Sequence, residues 1–76
     1  MAYQTEKNIQ IAFEGESAAA RKYALFADKA EKEGQKQAAR FFRAASEAEM
    51  IHARNHLNAI DAIGTTKDNL LGASMG

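Results

Sequence analysis

Apolar residues recur at steps of three and four along the first part of the chain, from Thr5 to Glu33, with Gly15 as the one interruption. Steps of this kind place side chains on one face of an α-helix, so the pattern predicts a helix over about 5–33. The apolar face of this helix consists of Ile9, Ala12, Phe13, Ala19, Ala20, Tyr23, Phe26, Ala27 and Ala30.

A second run with the same periodicity follows Gly34, a residue that suits the left-handed position after a helix C-terminus. The run predicts a second helix over about 36–62 that ends at Gly64. Two long helices joined by a tight turn predict an antiparallel helical hairpin. The stripe of the second helix mixes apolar and ionisable residues: Ala38, Phe42, Ala45, Glu49, His52, His56, Ala59 or Ile60, and Ile63.

The last part of the chain predicts the start of a third helix over about 67–74, with Thr66 as its N-cap. This segment repeats the beginning of the first helix at a constant offset. Because the residue after the last match would pair with Glu16, the repeat predicts the first half of an internally repeated protein, or a half that stands alone. The identical pairs are Asn8 and Asn69, Ala12 and Ala73, and Gly15 and Gly76.

Composition narrows the fold class and the possible chemistry. The chain has no proline and no cysteine, which favours long helices and excludes any cysteine-ligated metal from these residues. Ten basic and ten acidic residues are interspersed and give zero formal charge, so no basic stripe for nucleic acid is present. No apolar run is long enough for a membrane span, and no signal peptide is visible at the start. We therefore expect an all-α, cytoplasmic protein of one small domain at most.

The candidate chemistry lies in a Glu-x-x-His step formed by Glu49 and His52. Residues three apart share a helix face, so both side chains can bind one metal ion. Glu16 occupies the apolar face of the first helix at a matching depth. An unpaired carboxylate is costly to bury, so a Glu on that face needs a cation. Glu14 and Glu47 lie on other faces and are predicted to be solvated charges.

His56 lies four residues after His52, which is also a spacing at which two histidines chelate a metal such as zinc. From the residues alone, whether His56 binds metal stays open. Tyr23 lies two turns after Glu16 and packs in the same stripe, either as simple core or as a partner of the metal ligands.

Several motifs occur in order along the chain and cover nearly all of it. They are AFEGES at 12–17, RKY at 21–23, ADKAEKEG at 27–34, ARFFR at 39–43 and EAEMIHA at 47–53, continued by NHL at 55–57 and IG at 63–64. This series closely resembles the rubrerythrin family, and specifically the first two helices of its ferritin-like domain.

The resemblance implies a non-haem di-iron protein that reduces hydrogen peroxide to water with electrons from an external donor. It implies two iron ions per assembled site, which manganese or zinc can replace. By position, Glu16 would be a terminal or shifting carboxylate ligand, Glu49 a bridging carboxylate and His52 an imidazole ligand. Tyr23 would hydrogen-bond a ligand carboxylate, and His56 would not bind metal.

The family takes its remaining ligands from two further helices, so the resemblance also implies a partner. That partner is either a second copy of the chain, giving a homodimeric four-helix bundle, or the missing second half of the same protein. Two other interpretations compete with a peroxidase. One is a ferritin-like iron-binding or ferroxidase module without peroxidase turnover, and the other is a purely structural helical hairpin.

Overall fold

The computed structural model of the chain describes residues 3–75, including the side chains of 5–74. Within that range it contains three helices and no strand: α1 (Tyr3–Lys32), α2 (Lys36–Ala59) and α3 (Thr66–Met75). Helices α1 and α2 pack against each other in opposite directions. The all-α class and the helical hairpin predicted from the sequence are therefore confirmed.

The turn of the hairpin follows directly from Gly34, whose φ of 75° lies in the left-handed region. Its backbone N–H donates to the carbonyl of Glu31 at 3.0 Å, and the N–H of Gln35 donates to the carbonyl of Ala30 at 2.8 Å. These two bonds satisfy carbonyls that the end of α1 would otherwise leave unpaired. A glycine avoids the steric cost that a side chain would bring to this conformation.

The predicted end of the second helix was wrong, because α2 ends at Ala59 and not at residue 62 or Gly64. Asp61 takes the left-handed position with a φ of 54°. Around it, the N–H of Ala62 donates to the carbonyl of Leu57 at 2.9 Å, which closes the helix. The apolar pattern continues to Ile63 beyond this point, and aspartate is one of the few non-glycine residues that tolerate the left-handed region.

Helix α3 begins one residue earlier than the sequence indicates, because its N-cap is Thr65 and not Thr66. The Thr65 hydroxyl oxygen accepts from the N–H of Asp68 at 3.2 Å, while Asp68 Oδ2 accepts from the N–H of Thr65 at 3.3 Å. This reciprocal pair is a capping box. Among the described residues, α3 packs against neither α1 nor α2. Gly76, which completes the predicted repeat, lies outside the described residues.

Alanines form the contact between α1 and α2, which lets the two backbones approach closely. Within this contact the Ser46 hydroxyl of α2 donates to the Ala20 carbonyl of α1 at 2.8 Å. No large side chain is fully buried among the described residues, so the hairpin itself provides only a thin core. The buried residues are Ala20, Ala27, Ala30, Ala39 and Ala53.

We expect Ala27→Leu to lower the free energy of unfolding by about 1–3 kcal/mol, because three extra carbon atoms do not fit where Ala27 is completely buried. Thermal unfolding followed by circular dichroism measures the change. Ala18→Leu is the matched control on the exposed side of α1 and should leave stability nearly unchanged. Equal stability of the two variants would show that the helices do not approach this closely.

Ion pairs connect the helices on one side of the hairpin. Arg43 of α2 lies 3.0 Å from Glu31 and 3.4 Å from Asp28, both on α1. Within α1, Lys29 pairs with Glu33 at 3.4 Å, four residues further along the same helix. All of these groups are largely exposed, so each pair contributes little to the stability of the fold.

No helix in the described part of the chain has both the length and the apolar character needed to cross a membrane.

Candidate metal centre

The hairpin brings three predicted ligands to the same height along the axes of α1 and α2. Glu16 lies near the middle of α1, and Glu49 and His52 lie one turn apart on α2. Because the helices run antiparallel from the short turn at Gly34, positions about equally far from that turn face each other. One carboxylate from α1 therefore meets a carboxylate and an imidazole from α2.

A carboxylate oxygen of Glu16, one of Glu49 and a ring nitrogen of His52 all lie within 4.8 Å of one another. Within the pair on α2, Nδ1 of His52 is 3.8 Å from Oε1 of Glu49. The side chains of Glu16 and Glu49 are 26% and 25% exposed, whereas that of His52 is 55% exposed. The cluster is therefore half-buried on the carboxylate side and open to solvent on the imidazole side.

The Oε2 atom of Glu16 is buried and accepts no hydrogen bond. A buried anionic oxygen without a donor is costly, and a bound cation is one way to compensate for that cost. Two carboxylates and one imidazole form a donor set that suits iron or manganese. The residues at this level therefore fit a metal ion of this kind.

His56 extends the cluster toward the end of α2. Its Nε2 atom lies 3.1 Å from Oε2 of Glu16, and its side chain is 32% exposed. The contact has the distance of an ion pair but not the alignment of a hydrogen bond. His56 does not belong to the group of mutually close donor atoms formed by Glu16, Glu49 and His52.

Tyr23 lies among aromatic side chains toward the turn of the hairpin. Its ring stacks on Phe42 with 6.2 Å between centroids and meets Phe26 edge-on at 6.3 Å. Within the described hairpin the Tyr23 hydroxyl forms no hydrogen bond with Glu16 or Glu49. The role of Tyr23 as a partner of the ligands therefore stays a prediction.

Glu14 and Glu47 are exposed, as their positions in the sequence predicted. The contact between His56 and Glu16 was not predicted, although His56 falls on the same stripe as His52. Spacing along one helix indicates which residues share a face. It does not indicate which atom of the opposite helix each residue touches, because that depends on the distance between the helix axes.

One Glu on the first helix with Glu-x-x-His on the second is half of the ligand set of the four-helix di-iron carboxylate proteins, a ferritin-like class. Comparison with protein-family models gives a match to rubrerythrin over residues 7–74. The chain belongs to the rubrerythrin family, as the sequence motifs indicated. Family membership supports a ferritin-like di-iron protein and implies that it binds iron.

Among curated proteins, the chain is similar to a rubrerythrin of Porphyromonas gingivalis (strain ATCC BAA-308 / W83). The two are 35% identical over 86 aligned positions, which cover 96% of this chain and 43% of the relative. The chain thus spans less than half the length of the relative that it matches. No solved structure matches the chain significantly.

Proposed function

We propose that this chain supplies half of a di-iron site that reduces hydrogen peroxide to water, and that it acts as part of an assembled four-helix bundle. The observation that carries the proposal is the convergence of Glu16, Glu49 and His52, whose donor atoms lie within 4.8 Å of one another. The Oε2 atom of Glu16, which is buried and accepts no hydrogen bond, supports the presence of a cation at this level.

A second copy of the chain would complete the site without any new type of residue. Two hairpins related by a two-fold axis contribute two copies each of Glu16, Glu49 and His52. These amount to four carboxylates and two imidazoles, the full complement of a di-iron bundle. The second half of a longer protein would supply an equivalent set, and a mass measurement distinguishes the two arrangements.

The surface around the candidate ligands is suited to contact with a second layer, that is, another pair of helices packed over α1 and α2. The imidazole of His52 and the ring of Phe26 are exposed, and they belong to the same two helix stripes as Ala45 and Tyr23. The ion pairs of Arg43 lie elsewhere, on a surface that water can solvate. A second hairpin placed over the ligand side would remove apolar area from water and make the site drier.

In the assembled site, Glu16, Glu49 and His52 would hold the iron ions, and the aromatic rings near Tyr23 would limit access of water from the turn end. The bound irons supply the two electrons that, with two protons, convert one hydrogen peroxide into two waters. Because the described residues hold no other redox group, the electrons would come from an external donor. The carboxylates also provide sites at which protons are held close to the oxygen that leaves as water.

Metal content per chain and solution mass, measured on the same sample by elemental analysis and light scattering, test the assembly. About one iron per chain in a particle of twice the 8.3 kDa chain mass is expected for a symmetric two-metal bundle. A metal-free monomer would contradict the proposal for this chain by itself. One iron per chain in a monomer would contradict the need for a second layer.

The reaction is tested by mixing the ferrous protein separately with hydrogen peroxide and with dioxygen under otherwise equal conditions. Faster oxidation by peroxide, with the irons retained, is expected. Faster oxidation by dioxygen followed by release of ferric iron would instead identify an iron-oxidising module. Glu47→Gln, which changes an exposed carboxylate outside the cluster, provides a control that should react like the unmodified chain.

A further inference from the structure

His56 makes the closest side-chain contact to a candidate ligand from the opposite helix. Its Nε2 reaches from the last turn of α2 to Oε2 of Glu16 in the middle of α1, a separation of 3.1 Å. The backbone at His56 is fixed, since its carbonyl accepts the N–H of Ile60 at 3.3 Å where the helix ends. The imidazole of His56 thus faces a buried oxygen of the Glu16 carboxylate.

Among the described residues, the ion-pair contact of the Glu16 carboxylate comes from His56 on the opposite helix. A glutamate side chain has three rotatable bonds and loses considerable rotamer freedom when it is held in one position. The contact that restrains the Glu16 carboxylate therefore comes from α2, through His56.

We propose that His56 is a positioning residue for Glu16, an inference that rests on the proposed metal-binding function. Its imidazole holds the Oε2 side of the carboxylate, so that Glu16 stays at the level of Glu49 and His52 before a metal arrives. Residues that orient metal ligands in this way typically contribute 10–100-fold to metal affinity, as an order of magnitude.

The geometry favours positioning over direct ligation by His56. The donor atoms of Glu16, Glu49 and His52 come within 4.8 Å of one another, and the nitrogens of His56 do not join that group. His56 instead contacts one member of the set from outside. Its removal should therefore weaken binding without changing the number of metal ions bound.

Titration of the metal-free chain with Co²⁺, followed by visible absorption and calorimetry, tests this role. We expect His56→Ala to weaken Co²⁺ binding about 10–100-fold with unchanged stoichiometry and an unchanged pattern of cobalt absorption bands. His56→Gln keeps a polar N–H group at a similar reach and should recover much of the affinity. Circular dichroism of both variants establishes that the hairpin is folded.

Two controls make the result specific. Asn55→Ala changes an exposed neighbour on α2 and should leave Co²⁺ affinity unchanged. His52→Ala removes a proposed ligand and should alter both the stoichiometry and the cobalt absorption bands. His56→Ala should therefore resemble neither control, because it alone lowers affinity while keeping the spectrum.

Two outcomes would overturn the role of His56 while leaving the proposed function intact. Co²⁺ affinity of His56→Ala equal to that of the unmodified chain would show that Glu16 needs no positioning. Loss of bound cobalt together with a changed spectrum, without recovery in His56→Gln, would make His56 a ligand. Failure of the unmodified chain to bind Co²⁺ is a different result, which contradicts the metal site itself.

Discussion

Glu49→Gln is expected to remove stoichiometric metal binding while the helices stay intact. The two side chains have nearly the same shape, so the packing between α1 and α2 should be preserved. The amide lacks the negative charge and the second anionic oxygen with which Glu49 would bind metal at the proposed site. Metal affinity should therefore fall by more than the ~10–100-fold that is typical when a residue that only orients a ligand is removed. Elemental analysis after iron loading and desalting measures the result.

The matched control for Glu49→Gln is Glu47→Gln, the same chemical change two residues earlier on α2. Glu47 is exposed, whereas the side chain of Glu49 is 25% exposed and faces Glu16 across the hairpin. Iron content in both variants equal to that of the unmodified chain would contradict the role of Glu49 as a metal ligand. If both lost iron equally, binding would depend on overall acidity and not on the cluster.

The architecture could be predicted because each step depends on local physics. Gly34 marks the turn, and the two stripes identify the faces that meet, so an antiparallel hairpin follows. The end of α2 could not be predicted in the same way. The apolar pattern runs on to Ile63, but α2 ends at Ala59, and Asp61 takes a left-handed φ that residues other than glycine adopt uncommonly.

In the candidate site, too, some contacts could be predicted from the sequence and others could not. Glu49 and His52 are close because they are three apart on one helix, which any sequence makes visible. Their closeness to Glu16 depends on the register of the hairpin, and the short turn makes that register predictable to within about a turn of helix. The 3.1 Å contact of His56 with Glu16 needs the interhelical distance as well.

The distance between the axes of α1 and α2 is set by alanines, which carry little information in a sequence pattern. Ala20, Ala27 and Ala53 are counted as helix formers and weak apolar residues in any pattern analysis. In the structure they are the buried contacts that bring the backbones together, and the Ser46 hydroxyl bonds directly to the Ala20 carbonyl. The close helix packing that makes the contacts between α1 and α2 possible therefore comes from residues without a polar or ionisable side chain.

Ala45→Lys is expected to prevent assembly and, as a consequence, metal retention. Ala45 is half-buried, one turn before Glu49 on the stripe that the proposed second layer would cover. Covering an unpaired ammonium group costs several kcal/mol, a large penalty for the interface of so small a protein. Light scattering should report the mass of a single chain, and the iron content of the same sample should fall with it.

Ala44→Lys is the control, because it places the same charge on the adjacent residue, which is exposed and points away from the site. This variant should keep both the assembled mass and the iron. A monomeric Ala45→Lys that still held about one iron per chain would show that a single hairpin suffices for binding. An assembled Ala45→Lys would place the interface elsewhere on the hairpin. Mass and metal falling together is the result that the half-site requires, because neither hairpin has enough ligands to retain the pair of ions alone.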